Sequence, residues 1–220
     1  MTNKQELPTN FQWRIPTWYP DLSPEVLSKF RVLFDELHKF NRTIDLVAPK
    51  TLQAADAIHF ADSIMASRVI RSSHPSFSEI YDLGSGAGFP GVVFAILFPN
   101  VTVHLVEADQ KRCEFLKHIL SKTNTSNADV ICSRMEHLKE GSVKFAIVRG
   151  LSSISTVILA MRKIVHRGGI IFHLKGEEWS QEVSGIPIQL CSLWAPGLVG
   201  EYRLPVGEIR FSVIKTDKIS

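Results

Sequence analysis

Residues Glu79 to Gly91 read E-I-Y-D-L-G-S-G-A-G-F-P-G. Ile80, Tyr81 and Leu83 make a short, mostly apolar run of the length of a buried strand. Gly84, Gly86, Gly88 and Gly91 follow, and a second apolar run occupies 92–98. Strand, glycine loop and helix in this order bring a helix N-terminus up to a ligand. Glycine suits the loop because the backbone turns sharply and admits ligand atoms where a Cβ would stand. Pro90 suits the first helical turn, where its missing N–H costs little.

The glycines fit two registers. Gly86, Gly88 and Gly91 satisfy G-x-G-x-x-G, the dinucleotide pattern. Gly84, Gly86 and Gly88 satisfy G-x-G-x-G, the form used by S-adenosylmethionine (AdoMet) enzymes. An ordinary tight strand-to-helix turn is the bland alternative. The next strand, 101–106, ends in Glu107, and a carboxylate there accepts ribose hydroxyl hydrogen bonds in either cofactor class. From position, the amides of Gly84 to Gly88 face the methionine moiety, Phe89 helps wall the site and Glu107 takes the ribose.

Working outward, 79–83, 101–106, 128–133, 144–149 and 169–175 read as strands, and 90–98, 110–122 and 154–165 as helices. This alternation predicts a parallel sheet covered on both faces. After a short helix near 177–183 the alternation stops. Two β-rich stretches, 187–194 and 208–215, leave no room for a crossover helix and are expected to pair antiparallel. The expected fold is α/β, a Rossmann-like seven-stranded sheet with an antiparallel terminal hairpin. That is the plan of class I AdoMet-dependent methyltransferases, whereas the usual nicotinamide plan ends in a further parallel unit.

Upstream, Ser23-Pro24-Glu25 opens a helix as N-cap, first-turn proline and first-turn acid. Val26, Leu27, Phe30, Leu33, Phe34 and Leu37 share one face, and the helix ends near Asn41. A second helix is expected from Leu52 to about Arg71. On it His59, Asp62 and Ser63 share a face at i, i+3 and i+4; that face is either solvated or ties the helix to a neighbour. The division is therefore an irregular arm over 1–22, a small helical subdomain over 23–76 and the main domain over 77–220. The arm carries Phe11, Trp13, Trp18 and Tyr19, read as packing on the domain, with base stacking as the alternative.

The 220 residues carry a net charge of +3, which permits a nucleic-acid partner without requiring one. Cys113, Cys132 and Cys191 show no metal spacing or pairing and read as core thiols in a reducing cytosol. No signal-peptide core opens the chain and the run 92–98 is too short to span a bilayer. A cytoplasmic protein without a membrane partner, metal or disulfide is expected, acting as a monomer.

Several stretches in order carry a family resemblance. D-L-G-S-G-A-G-F-P-G (Asp82 to Gly91) resembles the loop of the bacterial 16S ribosomal RNA guanine-N7 methyltransferases, the RsmG or glucose-inhibited division protein B family. Leu37 to Arg42 (L-H-K-F-N-R), His59 to Ser63 (H-F-A-D-S), Lys111-Arg112 with Phe115-Leu116, Ser133 to Glu136 (S-R-M-E), Phe145 to Arg149, and Leu174-Lys175-Gly176 resemble its other segments. The likeness covers 24–216. Two positions depart from the family pattern: Asp45-Leu46-Val47 stands where N-L-T is common, and Ile58 where arginine is common before the histidine.

The resemblance implies AdoMet as cofactor and 16S ribosomal RNA, or a small-subunit precursor, as partner. It also implies that Met135 and Glu136 flank the adenine and that Arg149 touches the cofactor. By position Arg149 could instead hold a phosphate or the guanine edge, or sit in a structural ion pair. Lys175 is expected to neutralise RNA phosphate. His59, Asp62 and Asn41 are candidates for positioning substrate. Arg14, Lys39, Arg42, Lys50, Arg203 and Arg210 could add a basic rim. Guanine N7 carries a lone pair and no proton, so its methylation needs alignment more than a general base. A small-molecule methyltransferase, a nicotinamide oxidoreductase using Gly86-x-Gly88-x-x-Gly91, and a catalytically idle RNA-binding relative are the competing readings.

Overall fold

The computed structural model describes residues 12–207 and 210–220. Seven strands form one sheet: β1 (Glu79–Leu83), β2 (Thr102–Glu107), β3 (Ala128–Cys132), β4 (Val143–Arg149), β5 (Val165–Lys175), β6 (Trp194–Arg203) and β7 (Arg210–Lys218). Their order is β3-β2-β1-β4-β5-β7-β6. The first five are parallel, and β7 runs antiparallel to both β5 and β6. Strand residues alternate between two cores. Ile80, Phe172 and Leu174 join one cluster; Tyr81, Leu83 and Ile171 face the other. A sheet buried on both faces is what the near-continuous apolar runs require.

Five helices precede or cover the first face: α1 (Ile15–Trp18), α2 (Pro24–Phe40), α3 (Pro49–Leu52), α4 (Asp62–Ser73) and α5 (Gly91–Leu97). Ser23 caps α2, its hydroxyl accepting the Val26 amide at 3.3 Å. Phe30, Leu33, Phe34 and Leu37 of α2 lie in the same cluster as Ile80 and Phe172 of the sheet, so apolar packing is continuous across the expected boundary near residue 76. Ile15 and Tyr19 are buried in it too. Trp13 packs against Phe34 and Phe60 at centroid distances of 4.8 and 5.1 Å. Phe11, also expected to pack, lies outside the described residues. The other face carries α7 (Ile154–Ala160), α8 (Trp179–Ser184) and α9 (Ile188–Cys191), while α6 (Gln110–Lys122) packs beside β3. Among the described residues no helix is long and apolar enough to cross a membrane.

Three expectations need correction. The second helix is not uniform: Asp56–Ala61 is a π-helical segment that runs into α4. The first hairpin strand is 194–203, not 187–194, because Pro187 opens α9 instead. Pro196, Gly197 and Gly200 look like strand breakers, yet β6 is the sheet edge and shifts register between Leu198 and Gly200, where such residues are tolerated. Cys113 and Cys132 form a disulfide, with Cα atoms 5.8 Å apart. Parallel pairing sets Cys132 opposite Glu107, beside the first turn of α6 that holds Cys113. Nineteen residues of separation hide this from the sequence. Cys191 is exposed, so only Cys113 is a core sulfur.

The junction of β1 with α5 is tight. Asp82 is 1% exposed and accepts the Gly91 amide at 3.1 Å. A Cβ at Gly91 would meet the Asp82 carboxylate and Leu105. Burial pushes the Asp82 pKa up from 3.8 to about 6, against the pull of Ser85, the Gly91 amide and Arg149. The folded protein therefore keeps a proton that the unfolded chain releases near pH 4. This group's contribution to stability is complete below that pH and is lost as pH rises toward 6. Asp82→Asn retains an acceptor for Gly91 and cannot titrate. In denaturant titrations from pH 4 to 7, the stability of the variant relative to wild type should rise by about 2–3 kcal/mol. Parallel curves would contradict this.

Candidate active site

Two cavities open at the carboxyl edge of the parallel strands, where ligands bind in open α/β sheets. The first, of about 470 Å³, is lined by the glycine loop, Leu46, Val47, His59, Asp62, Arg149, Lys175 and Phe211, among others. The second, of about 350 Å³, is lined by Glu107, Ala108, Ser133 to Glu136, and Leu151. Gly84, Arg112, Arg149 and Gly150 border both.

The glycine loop joins them. Gly86 takes a φ of +55°, and a Cβ built there meets nothing closer than 3.9 Å. The space beside it is open, so a side chain would fill a cradle rather than strike the protein. Gly84 and Gly88 flank it at φ 75° and 90°. Glu107 is 7% exposed and its carboxylate is fixed by three amides. Gly86 N donates to Oε2, and Ala108 N and Asp109 N donate to Oε1, each at 2.8 Å. A carboxylate has about four lone-pair directions, so with three taken by amides one remains for a ribose hydroxyl. After β3 one short helical turn, Met135–His137, sets half-buried Met135 and exposed Glu136 at the second cavity.

Between the cavities lies a buried polar knot. The Arg149 Nη1 donates to Asp62 Oδ2 at 2.8 Å and to the Ile58 carbonyl at 3.1 Å. Its Nη2 stands 2.9 Å from His59 Nδ1. Tyr202 Oη, from β6, donates to Asp62 Oδ1 at 2.6 Å. Arginine is always a donor, so His59 Nδ1 is the acceptor and its proton sits on Nε2. Burial, and then the Arg149 charge, push the His59 pKa down to about 3, so the ring is neutral at physiological pH. The His59 ring stacks on Phe89, centroids 5.2 Å apart. Of the five guanidinium N–H groups, Nε–H and one on Nη2 are left for a ligand.

The other candidates fall into place around this knot. Asn41 holds the α2–α3 loop: its Oδ1 accepts the Leu46 and Val47 amides at 3.1 and 2.8 Å, and its Nδ2 donates to the Val47 carbonyl at 3.1 Å. It shapes the cavity rim through Leu46 and Val47. Arg112 ties the same loop to α6, Nη2 to the Asp45 carbonyl at 2.8 Å. Lys175 lines the first cavity, but its three protons have three acceptors: the Ser152 carbonyl at 2.7 Å and the Glu182 oxygens at 2.8 and 3.0 Å. It therefore braces β5 against α8, which corrects the expectation of a ready phosphate contact. Arg14 likewise leaves the basic rim, for its guanidinium grips fully buried Asp56 in two hydrogen bonds of 2.8 Å. Lys39 stands 3.7 Å from Glu36. Arg42, Lys50, Arg203 and Arg210 are exposed.

Sequence reasoning missed Tyr202, Asp56 and Phe211. Tyr202 lies 140 residues from Asp62, and no local pattern marks that pairing. Arg112 had a signal, the K-R of the α6 motif, that was not carried to the site.

A parallel sheet ending in an antiparallel hairpin, a glycine cradle and an acid at the end of β2 define an AdoMet-dependent methyltransferase. The fold resembles an AdoMet-dependent methyltransferase from Aquifex aeolicus (TM-score 0.57, 13% identity, 77% of this chain and 98% of that one). It also resembles one described as putative from Methanococcus maripaludis (TM-score 0.55, 12% identity, 85% and 92%). The model of the GidB family, rRNA small subunit methyltransferase G, matches residues 26–193. A protein from Bdellovibrio bacteriovorus named ribosomal RNA small subunit methyltransferase G 3 is 53% identical over 99% of both chains. One from Bacillus cytotoxicus, ribosomal RNA small subunit methyltransferase G, is 31% identical over 74% of this chain and 69% of its own. The chain belongs to the rRNA small subunit methyltransferase G family.

AdoMet fits the residues present, because the cradle at Gly86 is vacant of protein atoms and Glu107 is already oriented. Gly86→Val fills that cradle and forces a branched residue to positive φ. By calorimetry the variant should lose AdoMet affinity by about 100-fold or more while keeping a cooperative thermal transition. Unchanged affinity in the folded variant would show that the loop is not the site.

Proposed function

We propose that this protein transfers the AdoMet methyl group to N7 of a guanine in 16S ribosomal RNA. The observation that carries the reading is the state of the titratable groups lining the first cavity. Asp62 is bound by Arg149 and Tyr202, Lys175 by Glu182, and neutral His59 commits its Nδ1 lone pair to Arg149 and carries its proton on a buried Nε2. Among the described lining residues none is poised as a general base. Methylation of an exocyclic amine or a hydroxyl requires removal of a proton; guanine N7 has none to lose. A site of this kind works by alignment.

AdoMet, when bound, supplies a methyl group on a positively charged sulfur. The chain's own residues do the rest. Gly84 to Gly88 hold the methionine end, Glu107 the ribose, and Met135 and Glu136 the adenine. Arg149, fixed by Asp62, His59 and the Ile58 carbonyl, presents its remaining N–H groups between the two cavities, where they can orient the guanine edge. Exposed Arg42, Lys50, Arg203 and Arg210 supply charge for the RNA backbone. The helices over 23–76 cover the site, and the described part of the arm, 12–22, packs on that cover. The working form in this reading is a cytoplasmic monomer acting on 16S ribosomal RNA or a small-subunit precursor.

The test is a map of N7-methylguanine in 16S ribosomal RNA from cells with and without the gene, with the purified protein added back to the deficient RNA. One guanine should lose its methyl group in the deletion and regain it on addition of protein and AdoMet. Identical maps, with no transfer in vitro, would contradict the proposal.

A further inference from the structure

Three aromatic rings line the first cavity: His59, Phe89 and Phe211. His59 and Phe89 are 7% and 4% exposed, and they stack on each other. Phe89 is further covered by Phe60 at 5.0 Å, and the Arg149 guanidinium sits 5.7 Å from its ring. Both are too buried to offer a base an open face. Phe211 is only half-buried.

Its place in the fold follows from the terminal hairpin. β7 runs antiparallel to β5, and Ser212 pairs with Lys175, the last residue of β5. The start of β7 therefore lies at the carboxyl edge of the parallel strands, on the ligand side. Phe211 pairs across the hairpin with Tyr202. The two rings stack nearly parallel, 17° apart with centroids at 5.9 Å. Tyr202 is itself pinned by its hydrogen bond to Asp62, the carboxylate that holds Arg149. Phe211 is thus a ring backed by a second, immobilised ring, at the end of the cavity remote from Glu107.

A base that is to be modified at a ring atom must leave its stack. In RNA helices the groove that shows N7 is deep and narrow, and enzymes reach such atoms on splayed bases held against aromatic faces. We propose that Phe211 is the stacking platform for the target guanine, placing N7 toward the cofactor cradle while Arg149 meets the base edge. This rests on the methyl-transfer reading above.

The test compares Phe211→Leu, which keeps apolar bulk without a π face, with Phe211→Trp, which keeps the face. Each is assayed with AdoMet on 16S ribosomal RNA and on small subunits from methyl-deficient cells, with AdoMet affinity and melting temperature measured alongside. Phe211→Leu should lose about 10- to 100-fold in kcat/KM for RNA. AdoMet affinity should hold within about twofold of wild type, a precision well below the tenfold that 1.4 kcal/mol represents. Phe211→Trp should recover most of the RNA activity. Wild-type activity in Phe211→Leu, equal losses in the leucine and tryptophan variants, or a parallel fall in AdoMet affinity would each overturn the platform. A wild-type protein that binds AdoMet but methylates neither substrate would overturn the function itself, and the platform with it.

Discussion

Asp62 is 3% exposed, and its charge is balanced by a guanidinium that is itself mostly buried. Taking two such groups out of water costs several kcal/mol per ion, recovered only where geometry is good and remaining polar atoms are bonded. Here they are: Asp62 accepts from Arg149 and Tyr202, and Arg149 also reaches the Ile58 carbonyl and His59. Because Asp62 begins α4, Arg149 ends β4 and Tyr202 lies on β6, one ion pair joins helical cover, parallel sheet and terminal hairpin. The π-helical segment before α4 brings His59 and the Ile58 carbonyl to the same arginine. The expectation that His59 and Asp62 either face solvent or tie the helix to a neighbour resolves to the second. Ile58, where the family resemblance leads one to expect arginine, meets Arg149 through its backbone carbonyl.

A second constraint acts on the cofactor side. Glu107 receives three backbone amides, one from the glycine loop and two from the turn into α6. The carboxylate is oriented before any ligand arrives, which lowers the ordering cost of binding. The Cys113–Cys132 disulfide fastens α6 to the end of β3, directly before the turn that carries Met135 and Glu136. Glu107 and the Met135–Glu136 turn are therefore held to the same rigid unit.

Much of this was legible because it is local. β1, the glycine loop and α5 follow one another without a gap, and alternating strands and helices predict the parallel sheet. The hairpin was legible as a topology but not in register, because the proline and glycines of an edge strand mimic a loop. What stayed hidden is long-range. Lys175 reads as a free cation until Glu182 is seen beside it, and Arg14 reads as rim until Asp56 is found buried. The cysteines read as thiols because strand pairing, not spacing, brings two of them together. Tyr202 and Phe211 look like ordinary hairpin residues; only the fold sets them at the ligand edge.

The central claim is that Asp62 and Arg149 act as one unit in aligning substrate. A double-mutant cycle measures this directly, with single-turnover methyl transfer to 16S ribosomal RNA recorded for Asp62→Asn, Arg149→Gln and the pair. Groups in direct contact couple by about 0.5–3 kcal/mol, whereas independent sites add. The account predicts that the double variant is no slower than Arg149→Gln alone, since Asp62 works through the arginine. Losses that multiply in the double variant would contradict it.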